Sequence, residues 1–199
     1  MYSLRNEEQL IKDYFGNFQG TLLSLGENDG KTLSNVYAAL IDGWHGVLVE
    51  PSKTAFSKLY ELWKDRQDIE LVNVAISDTD GIAEFFESGT HLGTGDTSLL
   101  SSLKKDETVK WTRETFTQTE IATLTYKSLL TKVRRIKYDL ISVDCEGVDW
   151  EILQQIDLTD TKMLIVEFNG IDKVKYVDYC AKFGLHLYSQ NPENIIFVK

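Results

Sequence analysis

Short apolar runs alternate with amphipathic segments in the first third of the chain. The runs at 21–25, 47–50 and 69–77 have the length and the flanking turn residues of buried strands. Over 31–41 and 53–65, apolar residues recur at helical spacing, so each segment predicts an amphipathic helix. Two strand–helix–strand units in succession imply a parallel sheet with helices packed on its faces.

The pattern changes in the middle of the chain. Residues 81–88 predict an extra strand, and 116–125 alternate polar and apolar positions, which predicts another. The loop at 89–107 between them is rich in Gly, Ser and Thr, and loops of this length usually serve a function. We therefore expect residues 88–118 to form an inserted β/loop segment that covers a ligand.

The alternation of strands and helices resumes in the last third of the chain. Buried strands within 138–147 and 162–170 both run into acidic residues, and helices are predicted over 148–156 and 173–184. Two short strands near the C-terminus then form an antiparallel hairpin at the sheet edge. The pattern predicts a doubly wound, Rossmann-like α/β fold in a single domain over 1–199.

The charge of the chain bears on its partners. The formal net charge is −10 at pH 7. A nucleic-acid surface normally needs a basic patch, so we expect no nucleic-acid partner. One basic cluster is present, and it is more typical of a solvated helix end. Its members are Lys132, Arg134, Arg135 and Lys137.

The chain shows no sign of export. The N-terminal sequence lacks the apolar core of a signal peptide, and no run approaches the ~18 apolar residues of a membrane span. Cys145 and Cys180 are too few for a disulfide framework. These features predict a cytoplasmic protein without a membrane partner.

A glycine turn follows the first predicted strand. In the stretch LLSLGENDGKT, Gly26, Asn28 and Gly30 allow a tight turn and a close backbone approach to a ligand. Glu50 ends the second strand, 24 residues after Gly26. A carboxylate there can accept hydrogen bonds from both hydroxyls of a ribose, so the two features together predict an adenosine-containing ligand.

The acids in the turn favour one class of ligand. Lys31 stands where a dinucleotide fingerprint needs its third glycine, and Glu27 and Asp29 would repel a diphosphate. S-adenosylmethionine has a sulfonium and an ammonium but no phosphate, so an acidic turn suits it. Two alternatives stay open: a nicotinamide-dependent oxidoreductase of similar topology, and a tight turn in a domain that binds no nucleotide.

Several stretches together resemble the FkbM-type methyltransferases, a family of class I S-adenosylmethionine-dependent enzymes. The Asp-x-Glu-Gly element at 144–147 is the most specific of them. In the order of the family, the stretches are LGENDGKT (25–32), LVEPS (48–52), LVNVAISDTDG (71–81), TSLL (97–100), ISVDCEGVDWEIL (141–153) and LIVEFNG (164–170).

The resemblance implies a fold, a reaction and a cofactor site. The implied sheet has about seven strands, mostly parallel with an antiparallel C-terminal strand. The implied reaction is methyl transfer from S-adenosylmethionine to an oxygen, often on a sugar or a natural product. The implied cofactor contacts run from the methionine part through the ribose to the adenine. They are Gly26, Asn28 and Gly30, then Glu50, Pro51 and Ser52, then Asn73, Val74 and Ala75.

Ser24 departs from the family pattern. The family usually has an acid two residues before the first turn glycine, where it helps to hold the methionyl ammonium. We expect Glu27 or Asp29 to take its place, and we add Glu27 to the cofactor contacts. The departure also leaves open an inactive module that binds the cofactor without turnover.

A hydroxyl is a poor nucleophile, so a base or a metal is expected to activate it. Asp144, Glu146 and Glu167 lie at or just beyond strand ends that meet at one edge of the sheet. In one interpretation Asp144 or Glu146 is the general base, with His91 in the long loop as a further candidate. In the other, Asp144, Glu167 and Asn169 bind Mg²⁺. Glu146 could instead only cap the following helix.

We expect a small-molecule or glycan acceptor beneath the 88–118 insertion. Trp111 in this insertion could stack on a sugar ring, but packing in a small satellite core is the favoured interpretation. The short N-terminal helix gives little cover, so we expect either a partner chain, as in a homo-oligomer, or a large acceptor to complete the pocket.

Overall fold

A sheet of seven strands organises the residues that the structure, a computed structural model, describes: 2–93, 96–168 and 172–199. In chain order the described strands are β1 (Thr21–Leu25), β2 (His45–Val49), β3 (Ile69–Val72), β4 (Ala75–Ile76), β5 (Gly81–Ser88), β6 (Phe116–Leu124), β7 (Leu140–Val143), β8 (Met163–Glu167), β9 (His186–Gln190) and β10 (Asn194–Val198). The described helices are α1 (Glu7–Phe15), α2 (Tyr37–Ile41), α3 (Lys53–Trp63), α4 (Lys105–Thr108), α5 (Tyr126–Leu130), α6 (Asp149–Leu153) and α7 (Lys173–Ala181).

The strand order of the main sheet is β3-β2-β1-β7-β8-β10-β9. Neighbouring strands run parallel from β3 to β8, whereas β10 runs antiparallel to both β8 and β9. The predicted doubly wound, mostly parallel sheet with a reversed C-terminal strand is thereby confirmed. The strand order reverses between β1 and β7, so the carboxyl ends of these two strands flank a crevice.

The central strands are apolar on both faces because a hydrophobic core lies on each side of the sheet. Leu22 packs in one core cluster and its neighbour Leu23 in the other. Leu140 and Ile141 divide in the same way on β7. This alternation follows from the period of two along a strand. The two cores hold the strands in place, and the residues of the candidate site follow the carboxyl ends of these strands.

A second, smaller sheet has the order β4-β6-β5. β5 and β6 are antiparallel along their length, while β4 adds a short parallel pairing to β6. The two extra strands predicted at 81–88 and 116–125 are therefore present as β5 and β6, and the predicted insertion at 88–118 is the chain that connects them and includes α4. Its role in covering a ligand stays a prediction.

The helix predicted over 31–41 is shorter in the structure, where α2 begins only at Tyr37. Leu33 has a φ of 57°, in the left-handed region that a right-handed helix excludes. The Asp29 carboxylate accepts hydrogen bonds from the backbone N–H and the hydroxyl of Thr32, both at 2.7 Å. Such local side-chain acceptors compete with the helical hydrogen bonds, and the sequence spacing does not reveal this competition.

The strand predicted over 69–77 is split between the two sheets, as β3 and β4. Asn73 lies at the break, and its amide donates to the carbonyl oxygens of Glu50 at 2.8 Å and Pro51 at 3.0 Å. These bonds tie the break to the end of β2. The apolar run hides the split because both halves are buried at least in part.

Candidate active site

A cavity of about 440 Å³ opens at the carboxyl ends of β1, β2, β7 and β8. Its volume lies in the range of small-molecule sites. The turn after β1 and the acids after β2 and β7 form one part of its wall, and side chains from the insertion between β5 and β6 form another. The cavity therefore lies at the point where the strand order reverses, as expected for a ligand site in this type of sheet.

The glycine turn brings β1 and β7 into very close contact. Gly26 has a φ of 81°, and a Cβ atom at this position would lie 1.7 Å from the carbonyl oxygen of Asp144. The N–H groups of Gly26 and Glu27 both donate to the carbonyl oxygen of Val49, at 3.0 and 3.1 Å. Only glycine fits at position 26, and the resulting turn leaves its backbone on the cavity wall.

Glu27 is a buried acid in this turn, with two hydroxyl donors. Ser24 Oγ donates to Oε2 at 2.5 Å, and Ser34 Oγ donates to Oε1 at 2.6 Å. Burial raises the pKa of Glu27 to about 7, although both hydrogen bonds favour the charged form. Ser24, which stands where the resemblance would place an acid, thus orients the Glu27 carboxyl. The carboxylate of Asp29 is instead occupied by its own turn.

Glu50 holds two loops together at the end of β2. One carboxyl oxygen accepts from the N–H of Asn28 at 2.8 Å, and the other accepts from the N–H of Ser52 at 2.7 Å. Burial raises the pKa of Glu50 to about 8. Each oxygen keeps a second acceptor site, and the residue lines the cavity, so Glu50 is able to accept hydroxyl donors from a ligand.

The structure divides the predicted cofactor contacts into two groups. One group lines the cavity: Gly26, Glu27, Asn28, Glu50, Pro51, Val74 and Ala75. Gly30, Ser52 and Asn73 do not lie on its wall.

The three residues away from the wall support those on it. Gly30 packs against Leu59 of α3, whose side chain would lie 2.5 Å from an added Cβ atom. Ser52 caps the start of α3 by accepting from the N–H of Ala55 at 3.2 Å. Asn73 ties the break between β3 and β4 to the end of β2. Their direct contact with a cofactor remains a prediction.

Three acids converge where β7 and β8 end. Ligand oxygens of Asp144, Glu146 and Glu167 lie within 4.8 Å of one another. Burial and then the charge of the neighbouring Asp149 raise the pKa of Asp144 to about 7. Burial and then the charge of Asp144 raise the pKa of Glu146 well above its usual range. The predicted convergence is therefore present, whereas Asn169, the third predicted metal ligand, lies outside the described residues.

The insertion between β5 and β6 forms the part of the cavity wall for which the sequence-based predictions were weakest. His91 lines the cavity, and its Nδ1 lies 3.0 Å from Glu114 Oε1. The indole of Trp111 contacts the His91 ring edge-on, with 5.2 Å between ring centroids. Trp111 also lines the cavity and is 37% exposed, so it is not part of a closed satellite core.

Several lining residues carry no signal in the sequence. Leu4, Asn35 and Asn194 come from segments distant in the chain and reach the cavity only through the fold. For Ser34, the one sequence signal for its hydrogen bond to Glu27 is the spacing of seven residues between them. The positions of Ser34 and Asn35 depend on the shortened α2, and that of Asn194 depends on the reversed β10.

The charges of the wall decide which ligands fit. Among the described residues that line the cavity there is no lysine or arginine, whereas Glu27, Glu50 and Asp144 are all present. A diphosphate would find no cationic side chain among these described lining residues, and it would be repelled by the acids wherever they are ionised. A nucleoside with hydroxyl donors and positive charges would supply the hydrogen bonds and the charge that these carboxyl groups need, so the residues of the wall fit S-adenosylmethionine.

Comparisons with known proteins agree with this fit. The model of the methyltransferase FkbM domain matches residues 24–182. No curated protein sequence matches the chain significantly. Among solved structures, yhhF from Escherichia coli, a "putative methyltransferase", is 10% identical with a TM-score of 0.53, and the match covers 99% of this chain and 88% of that one.

A second solved structure corrects an expectation about partners. PH1948 from Pyrococcus horikoshii, a "putative RNA methyltransferase", is 12% identical with a TM-score of 0.52, and the match covers 98% of this chain and 80% of that one. Such identities show the fold alone. Because the fold is shared with a protein so described, the exclusion of nucleic acid as a partner, which rested on net charge, is wrong. Of the helices in the described ranges, none has the length and apolar character needed to cross a bilayer.

The raised pKa values predict opposite pH dependences for stability and for ligand binding. Glu27 and Glu50 titrate near 7 and 8 in the folded chain, far above an unfolded glutamate, so the folded chain binds more protons between about pH 4.5 and 8. Stability without ligand is therefore expected to fall as pH rises through this window. Affinity for S-adenosylhomocysteine is expected to rise by about tenfold or more between pH 6 and 8.5. Titration calorimetry at pH 6 and at pH 8.5 measures this affinity, and equal affinities would contradict the assignment of Glu27 and Glu50 to the cofactor site.

Substitution of Glu50 tests the ribose contact. Glu50→Ala is expected to weaken S-adenosylhomocysteine binding by about 1–3 kcal/mol, because the ligand hydroxyls lose their acceptor. Glu50→Gln keeps one acceptor oxygen and separates loss of charge from loss of the loop contacts. Glu61→Ala on α3, where the side chain is 66% exposed, is the matched control. An unchanged dissociation constant in Glu50→Ala would remove Glu50 from the site.

Proposed function

Since the chain belongs to the FkbM methyltransferase family and is therefore an S-adenosylmethionine-dependent methyltransferase, we propose that it methylates a hydroxyl oxygen of a sugar or a similar natural product. The observation that carries the proposal is the convergence of three carboxyl groups within 4.8 Å beside the cofactor turn. Family membership decides against the oxidoreductase alternative, and the absence of basic residues from the described lining agrees with this.

The cofactor half of the cavity is assigned to the residues after β1 and β2. The Gly26 backbone and the Glu27 carboxylate would hold the methionine part, and Glu50 would accept from the ribose hydroxyls. Val74 and Ala75 would contact the adenine, with Pro51 beside the ribose. When bound, S-adenosylmethionine supplies an electrophilic methyl group on a sulfonium.

The acceptor half is assigned to the acids and to the insertion. Asp144 would take the proton of the acceptor hydroxyl, because its pKa near 7 leaves it a competent base at neutral pH. Glu146 and Glu167 would accept further hydroxyls and fix the orientation of the acceptor. The exposed part of Trp111 offers the apolar surface that the face of a sugar ring prefers. His91, oriented by Glu114, is the alternative base.

An acceptor panel tests the proposal. Release of S-adenosylhomocysteine is measured with neutral monosaccharides and glycosides, with hydroxylated natural products, and with short RNA. Turnover on a hydroxyl compound, with the methyl group located on oxygen by mass spectrometry, is the expected result. Turnover on RNA alone would replace the acceptor class, and no turnover on any acceptor would favour the inactive module.

One variant separates binding from chemistry in this assay. Asp144→Asn is expected to leave S-adenosylhomocysteine affinity unchanged and to lower kcat by about 10²–10⁴-fold, the usual contribution of a positioned base. Asp178→Asn, an exposed residue on α7, is the control for the same chemical change. Normal turnover in Asp144→Asn would exclude this carboxylate from the chemistry.

A divalent cation is the alternative way to neutralise the same acids. Asp144, Glu146 and Glu167 offer hard oxygen ligands of the type that Mg²⁺ takes, and the predicted Asn169 would add a fourth. If Mg²⁺ activates the hydroxyl, chelation with EDTA should abolish turnover and added Mg²⁺ should restore it. With a carboxylate base alone, turnover should survive chelation. The base is our primary proposal, and loss of activity in EDTA would reverse that choice.

A further inference from the structure

Two side chains of the insertion hold the turn that bears Glu146. Ser102 Oγ donates to the carbonyl oxygen of Glu146 at 2.6 Å, and Lys104 Nζ donates to the carbonyl oxygen of Gly147 at 2.7 Å. The same ammonium pairs with the carboxylate of Glu151 on α6 at 2.7 Å. The insertion and the acid-bearing turn are therefore joined by direct polar bonds.

The turn needs this support because its backbone is strained. Glu146 has a φ of 47°, in a region that is costly for a residue with a Cβ atom, and Gly147 follows at 92°. The Asp149 carboxylate accepts from the N–H of Cys145 at 2.7 Å and from the N–H of Gly147 at 3.1 Å. The N–H groups of the turn are thus held from α6, and its carbonyl groups are held from the insertion.

Ser102, one of the two residues that hold the turn, is itself fixed to the small sheet. Ser102 exchanges two backbone hydrogen bonds with Phe86 of β5, at 2.9 and 3.1 Å, and is 1% exposed. Its hydroxyl also accepts from the N–H of Lys104 at 2.9 Å. Leu103, between the two residues, lines the cavity, whereas Ser102 and Lys104 do not. One short segment therefore contacts the acceptor space and grips the turn.

We propose that Ser102 and Lys104 are positioning residues that fix the turn at Glu146 and thereby bring its carboxyl group to Asp144 and Glu167. The inference rests on the proposed function, because it concerns the acids assigned there to the acceptor. The insertion then does more than cover the acceptor: its anchoring to the turn is what completes the acid cluster.

Four variants of the full chain test this role. Lys104→Met removes the charge and the donors while it keeps the length of the side chain. Lys104→Arg restores donors, and Ser102→Ala removes one hydroxyl. Lys105→Met is the matched control, because the Lys105 ammonium is exposed and makes no hydrogen bond or ion pair within the described ranges.

Amide hydrogen exchange gives a readout that needs no acceptor. With S-adenosylhomocysteine bound, the amides of residues 144–149 are expected to exchange about tenfold faster in Lys104→Met than in the wild type, because the turn opens more often. Ser102→Ala should show the same direction, while Lys104→Arg and Lys105→Met should match the wild type. Identical exchange in Lys104→Met and Lys105→Met would overturn the proposal.

Kinetics separates positioning from a general loss of structure. With the acceptor that gives turnover in the panel, kcat of Lys104→Met is expected to fall about 10- to 100-fold. The dissociation constant for S-adenosylhomocysteine should stay unchanged, and Lys104→Arg should recover most of kcat. A kcat equal to that of Lys105→Met would refute the role. If the wild type turns over no acceptor, the proposed function fails, and hydrogen exchange alone still decides this inference.

Discussion

Burial of carboxyl groups without a cationic partner is the constraint on which this site depends. Within the described ranges, the buried acids Glu27, Glu50 and Asp149 and the half-buried Asp144 form no ion pair, although an isolated charge away from water is costly. Glu27, Glu50 and Asp149 are offset by hydroxyls and backbone N–H groups, and these donors must be placed by the chain around them. The site is therefore poised to gain from any ligand that brings donors or positive charge.

Several local features follow from supplying those donors. Ser34 can reach Glu27 only because residues 31–36 leave the helical path, and Asn28 presents its N–H to Glu50 from a left-handed conformation with a φ of 52°. Asp149 begins α6 and draws the preceding turn back onto itself. The backbone at this edge of the sheet is thus irregular because it must supply hydrogen-bond donors to the buried acids.

The fold was largely predictable from the sequence because its signals are local. Buried runs, helical spacing and turn residues marked every strand of the main sheet, and Glu50 lies directly after β2 on the cavity wall, while its contact with a ribose stays a prediction. The shortened α2 and the split of β3 from β4 were missed, since the hydrogen bonds that Asp29 accepts and that the Asn73 amide donates override periodicity. The distant lining residues Leu4, before α1, and Asn194, at the start of the reversed strand β10, were also missed, because no local spacing encodes contacts between segments so far apart in the chain. The net charge did not exclude a nucleic-acid partner, because it averages over the whole surface and does not report on a local patch.

The small sheet has a consequence for re-engineering this scaffold. The loop between β5 and β6 leaves and rejoins the same antiparallel pair, so a different loop could be grafted there without disturbing the strands that bear the nucleoside site. Such a graft would not be modular at its inner edge, where Ser102 and Lys104 belong to the geometry of the acid-bearing turn. The same loop also accepts a hydrogen bond from the Asn28 side chain at the Thr97 carbonyl oxygen, at 3.0 Å, and places the Ser98 hydroxyl 2.9 Å from that of Ser52. A chimaera would therefore have to retain residues 97, 98, 102 and 104 to change selectivity without changing the turns that bear Asn28, Ser52 and Glu146.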